Sequence, residues 1–265
     1  MAKILFPNNP VQNKWPMIPK HSAEFSVHLH HLGPDGLARP GVMFDFFQDA
    51  ASQQTSPLKL SIRHLIERGL TWVVVRYRVR ILRYPQWQER IRVTTWRSAT
   101  HGQRVPREFM VTDTDGRKIA LGQGIFMLLD YATRHPVSPE VPLADFPIVD
   151  ETVFEDDFER LPPVSTPWVP DVNVAVRRDD LDLNHHVNNP RYIAFALESI
   201  PDDFRQTHQV KQIEAIFKAS IGYGDTLTSR IEKQADEMPT FIHQLTGNCD
   251  GHEFCRLLTR WQGIR

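Results

Sequence analysis

The chain of 265 residues carries a formal net charge of -1 with 24% charged and 41% hydrophobic residues, a balance that argues against a nucleic-acid partner and against a disordered chain. No segment approaches the ~20 consecutive apolar residues of a membrane span, and the N-terminal MAKILFPNNPVQNKWP lacks an apolar signal-peptide core, so the cytoplasm is the expected location. Cys249 and Cys255 fit neither a redox pair nor a zinc knuckle, and no metal is expected.

After a Pro- and Asn-rich start, residues 23–30 (AEFSVHLH) alternate apolar and polar like a half-buried strand, and Gly33-Pro34-Asp35-Gly36 turns the chain. From Gly41 the run GVMFDFFQDAASQQTS sets Val42, Met43, Phe46, Phe47 and Ala50 at helical spacing and is more apolar than most surface helices. A short helix over 61–68 precedes a long strand over 71–83, in which Val73, Val75, Tyr77, Val79 and Ile81 alternate with Arg76, Arg78 and Arg80. Three cations on one strand face either keep it soluble, the simpler reading, or dock an acidic partner. Residues 89–98, 107–112 and 118–130 read as three more strands.

Residues 136–170 hold eight of the 20 prolines and an acidic patch at Glu151, Glu155, Asp156, Asp157 and Glu159, which reads as a linker crossing the surface. The first pattern then recurs, with a strand over 168–177, a buried helix over 190–200, and strands over 212–220, 226–234, 240–248 and 253–261. Tyr84-Pro85-Gln86-Trp87 and Tyr223-Gly224-Asp225 occupy equivalent places after a long strand, so the chain reads as a tandem duplication. The expected architecture is α+β, two packed modules at 1–140 and 168–265 joined by a linker at 141–167, each a long antiparallel sheet around one helix.

The densest group of reactive side chains lies in DDLDLNHHVNNPRYIAFALESIP, residues 179–201. If residues 181–186 run extended, Asp182, Asn184 and His186 project to one side. Asn189 then suits an N-cap and Pro190 the first helical position, so the polar triplet would sit at the amino end of a buried helix, beside unpaired N–H groups that favour a developing oxyanion. The same residues also serve simply as turn and cap residues.

DLDLNHHVNNPRYIAFALESIP resembles the active-site segment of the acyl-acyl carrier protein thioesterases of plant plastids and bacteria. The run from the Gly41 helix through LRYPQWQERIRVTTWRS to GIFMLLDYATRHPV is similar to that family's N-terminal module. The resemblance implies a tandem hotdog fold, acyl-chain binding in the first module and catalysis in the second. It implies Asp182, Asn184 and His186 as the catalytic network of a thioester hydrolase that needs no cofactor. Its substrate would be acyl carrier protein or acyl-CoA, and a homodimer is compatible. Enoyl-thioester hydration is disfavoured, because that motif places a His three positions after the Asn and Val187 stands there. The family usually has a Glu shortly before the Gly-Asp turn, where this chain has Ser220. Glu214, six residues upstream on the same face, lies about 20 Å away at ~3.3 Å per residue. A hydroxyl holds a water but does not take its proton at neutral pH, so hydrolysis would rest on Asp182 and His186. The alternative is a catalytically impaired acyl-thioester-binding or regulatory protein of the same fold. Met43, Phe46, Phe47 and Trp72 are candidates for lining the acyl slot, although core packing explains them as well.

Overall fold

A computed structural model of the chain describes residues 18–264. The first half runs β1 (Lys20–Ser26), α1 (Val42–Thr55), α2 (Ile62–Glu67), β2 (Leu70–Ile81), β3 (Arg90–Arg97), β4 (Val105–Thr112), β5 (Lys118–Asp130) and β6 (Pro136–Val137). The second runs β7 (Val172–Ala175), α3 (Asn189–Leu197), α4 (Asp202–Thr207), β8 (His208–Phe217), β9 (Thr226–Gln234), β10 (Thr240–Gly247) and β11 (Glu253–Gly263). The strands form one sheet in the order β1-β3-β4-β5-β2-β8-β11-β10-β9-β7, with β6 on β5. That order reads the same from either end once β1 is matched with β7, β2 with β8, and so on. The two halves meet at the antiparallel β2·β8 pair, from Arg76 opposite Ile216 to Arg80 opposite Gln212.

Alternation on the strands sends one apolar set toward the helices. In the first half Phe47 of α1 stacks on Phe109 of β4 at 4.5 Å between ring centroids, and Phe44 meets Tyr77 of β2 edge-on at 5.1 Å. A side chain at Gly122 would collide with the Phe47 ring, so the bare backbone of β5 is what lets α1 approach the sheet. Met43, Phe46 and Phe47 are 0%, 4% and 0% exposed in this core.

Several boundaries differ from the sequence reading. β1 ends at Ser26, because His28–His31 forms a 3-10 turn in which His31 Nδ1 accepts the His28 N–H at 3.0 Å. The strand expected over 168–177 keeps four residues, and α4, absent from the sequence reading, starts beyond Pro201. Asn188 rather than Asn189 is the N-cap of α3, and that helix stops at Leu197.

The arginine face of β2 is covered rather than free, with Arg78 buried and Arg76 and Arg80 half-buried. The segment leading into the second half lies across it: Arg78, fully buried, donates Nη1 to Asp156 Oδ2 at 2.9 Å and Nη2 to the Asp156 carbonyl at 2.8 Å. Its guanidinium stands 3.9 Å over the Phe154 ring. Arg76 donates to the Glu159 carbonyl at 2.6 Å and stacks on Phe158, while Arg80 stacks on Phe154. Cation–π contact and hydrogen bonding replace the water expected over Arg78 and part of that over Arg76 and Arg80.

Candidate active site

A turn gathers Asp182, Asn184 and His186, not a strand. After a 3-10 turn at Arg178–Asp180, Leu181 bridges to Val187. Between them the Asp182 N–H reaches the His186 carbonyl at 2.7 Å, and the His185 N–H reaches the Asp182 carbonyl at 3.1 Å. His185 takes φ of 61°, the left-handed region that costs a residue with a Cβ. Asp182 Oδ1 accepts the backbone N–H of Asn184 at 2.7 Å and of His186 at 3.4 Å, which satisfies donors the tight turn would otherwise strand. Leu183 and His185 consequently face solvent, while Asp182, Asn184 and His186 are half-buried.

The loop is pinned to the exit of β8 by the Val187 N–H on the Ile221 carbonyl at 2.9 Å and by the Tyr192 hydroxyl on the Ala219 carbonyl at 3.2 Å. Ser220 is thereby brought to the same cavity as the three loop residues. That cavity measures about 670 Å³ and is walled by Asp182, Asn184, His186, the Asn188–Asn189 start of α3, Phe217 and Ser220 from the second half. From the first half it takes Trp72, Tyr77, Phe126, and Gln48, Ala51, Ser52 and Thr55 on α1. Met43, Phe46 and Phe47 are not in its wall. They point into the packed core, and the face of α1 turned to the cavity is its small and polar one. Trp72 is held there by its Nε1–H on the Leu60 carbonyl at 3.0 Å and by edge contact with Phe126.

Asn184 donates Nδ2 toward Asp182 Oδ2 at 3.5 Å, and its Oδ1 is buried with no partner. Flipping the amide would set its carbonyl against the carboxylate, so the oxygen is the atom left without a partner. No hydrogen bond among the described residues joins the Asp182 carboxylate to the His186 imidazole; Asp182 shapes the loop instead. Glu214 is absent from the cavity wall, lying fully buried opposite Arg78 in the β2·β8 register.

The first half repeats the loop without its chemistry. Leu29–His31 forms the matching 3-10 turn, Leu32 bridges to Ala38, and Gly36 at φ 74° stands where the second loop has His185. Gly33, Asp35 and Leu37 replace Asp182, Asn184 and His186. The duplicated scaffold thus carries one set of reactive groups.

Sequence reasoning missed Arg97 and Arg107, which reach the cavity wall from β3 and β4. Arg107 shares a face with Val105, Phe109 and Val111, all buried, and that alternation was the available signal. Burial lowers the Arg97 pKa, and lowers that of Arg107 to about 10. Cys249 is exposed, Cys255 is buried, and neither lines the cavity. Among the described residues no group of three or more His, Cys, Asp or Glu could hold a metal ion, and no helix is long and apolar enough to cross a membrane.

Residues 19–142 match the family model of the acyl-ACP thioesterase N-terminal domain, and residues 170–263 that of the C-terminal domain. An acyl-[acyl-carrier-protein] hydrolase of Cuphea viscosissima is 26% identical over 90% of this chain and 61% of its own length. A palmitoyl-acyl carrier protein thioesterase of Gossypium hirsutum is 24% identical over 91% of this chain and 63% of its own. The chain therefore spans about three-fifths of the length of these curated relatives. Among solved structures, an acyl-ACP thioesterase from Bacteroides thetaiotaomicron superposes with a TM-score of 0.82 at 24% identity, covering 92% of this chain and 98% of that one. A 12:0-ACP thioesterase from Umbellularia californica superposes with a TM-score of 0.83 at 20% identity, covering 95% and 100%. The shared fold is the α+β hotdog fold, and with both family domains matched in order along the sequence, the chain belongs to the acyl-ACP thioesterase family.

Proposed function

We propose that this chain hydrolyses acyl thioesters, releasing a fatty acid from acyl carrier protein or from coenzyme A. The observation that carries the reading is the single reactive loop, with Asp182, Asn184 and His186 in the wall of a cavity that both halves build. In this reading residues 1–140 hold the acyl chain, residues 141–167 link, and residues 168–265 catalyse.

His186 takes a proton from a water held in the cavity. The water oxygen attacks the thioester carbonyl, whose oxygen becomes negative against the Asn189 N–H at the start of α3. The C–S bond then breaks, the imidazolium returns its proton to the leaving thiolate, and the carboxylic acid departs. Asp182 is a positioning residue, since its Oδ1 holds the turn that presents the other two. Ser220 adds a hydroxyl that can hold a water, and no base. The acyl chain lies along Trp72 and Phe126.

A panel of acyl thioesters varied in chain length and carrier, run on the parent and on His186→Ala, tests this. The parent should turn over without added metal or cofactor, and His186→Ala should fall by about 10²–10⁴-fold in kcat. Equal activity in the variant would remove the reading, and ligand binding by the parent without turnover would select an acyl-binding protein. Cytoplasmic location and a homodimer belong to the same proposal, to be read by cell fractionation and light scattering.

A further inference from the structure

Arg97 and Arg107 face each other directly in the antiparallel β3·β4 register, and both line the cavity although 5% and 6% exposed. Like charges opposite one another on a strand pair repel, and a buried guanidinium without an anion is costly. Among the described residues neither makes an ion pair with a carboxylate. Their partners are neutral. Arg97 donates Nη1 to the carbonyls of Leu143 at 3.1 Å and Phe146 at 3.0 Å, and Nη2 to Thr100 Oγ1 at 2.7 Å. Its buried Nε–H has no acceptor. Arg107 donates Nε to Thr95 Oγ1 at 3.0 Å and Nη2 to the Ala51 carbonyl and Gln54 Oε1, which leaves its Nη1 without a hydrogen bond among the described residues.

The pair lies across the sheet from the loop and shares its cavity. Arg97, Arg107, Gly124, Tyr77 and Ala215 form one row across β3, β4, β5, β2 and β8. From β8 to β4 along this row is three strand spacings, about 14 Å, and Ser220 lies five residues beyond Ala215. A carrier protein cannot enter a cavity of about 670 Å³, so what reaches the arginines is the far end of the acyl chain. A methyl end would leave both cations unpaired.

We propose that this cavity selects acyl chains whose far end is anionic, an ω-carboxylate that takes a hydrogen bond from Nη1 of Arg107 and is attracted by the Arg97 charge beside it. Which end of the ligand meets His186 rests on the thioesterase reading above; recognition of the anion does not.

The test uses binding, so that failed turnover and failed recognition are told apart. Straight-chain acyl amides of cysteamine, ending in either a carboxylate or a methyl group and increasing in length, are titrated calorimetrically into the parent, Arg97→Met and Arg97→Lys. At the best length the parent should prefer the carboxylate end by about tenfold or more, the scale of one charge-assisted hydrogen bond. Arg97→Met should weaken that preference several-fold, and Arg97→Lys, which keeps the charge, should retain most of it. Equal or tighter binding of the methyl-ended series at every length overturns the proposal, as does an unchanged ratio in Arg97→Met. If thermal unfolding shows that neither variant folds, the parent's ratio alone is decisive.

Discussion

His243 on β10 is fully buried between two partners that fix its state. Nδ1 must donate to the Ala196 carbonyl at 3.0 Å, because that oxygen can only accept, and Nε2 therefore accepts from the Thr259 hydroxyl at 2.7 Å. The ring is neutral, and burial, with the Arg205 charge adding to it, lowers its pKa from 6.5 to about 4. Between those two values the unfolded chain binds a proton that the folded chain does not, so this group costs stability as pH falls from 6.5 toward 4, by up to about 3 kcal/mol. The expected result is that urea unfolding of His243→Gln, relative to the parent, loses about 2–3 kcal/mol less between pH 7 and pH 4. Parallel curves for the two proteins would show that His243 does not titrate this way. Comparing the proteins with each other matters here, because the buried carboxyls of Glu108 and Glu214, raised by desolvation, shift stability in the opposite sense.

Those two carboxyls are the frame into which Arg78 of β2 is keyed. Arg78 reaches Gln123 at 3.2 Å, Gln123 passes a hydrogen bond to Glu108 at 2.9 Å, and Glu214 stands opposite Arg78 across β2·β8. The covering segment closes the group, its Val153 and Glu159 N–H groups donating to Glu108 at 3.2 Å and Glu214 at 3.1 Å. Arg78→Met should therefore cost about 3–5 kcal/mol, because it strands buried acids. The cost should be larger at pH 8 than at pH 5, because burial raises the pKa of both acids and lower pH favours their neutral form. Denaturant unfolding at the two pH values measures it, and a loss below about 1 kcal/mol at both would mean the group carries no weight. The strand itself was legible in the sequence, but its cover was not: alternating arginines look the same whether water or a segment 78 residues away lies over them. The reactive loop was legible for a similar reason in reverse. Alternate positions reach one side in a strand and, here, in a turn, so Asp182, Asn184 and His186 were grouped correctly on a conformation the chain does not adopt. The cavity face of α1 was hidden for another reason: helical spacing marks Met43, Phe46 and Phe47 as the apolar side, which fills the core, and does not reveal that the small and polar side of Gln48, Ala51, Ser52 and Thr55 borders the cavity.

At the scale of the molecule, the mirror order of strands makes the joint between the halves a strand pair inside a continuous sheet. Backbone hydrogen bonds along β2·β8 are joined there by the Tyr84 hydroxyl on the Val210 carbonyl at 2.8 Å, a contact that is itself buried. The core is continuous across this joint, with Tyr77 and Val79 of β2 packed in one cluster with Ile213 and Ala215 of β8. The connecting segment adds anchors on both sides, through Asp156 on Arg78 and through the Arg256 guanidinium on the Leu161 carbonyl at 2.8 Å. Pro162 and Pro163, by contrast, are exposed. A protease site inserted between them should be cut without separating the fragments, which should elute together on gel filtration and unfold in one transition, because the bonds holding the halves do not run through that peptide. Separate elution, or two transitions, would place the cohesion of the molecule in the connecting segment instead. A cut protein that stays whole should also keep its ligand cavity, since Trp72 and Tyr77 on one fragment and His186 and Phe217 on the other would remain in one wall.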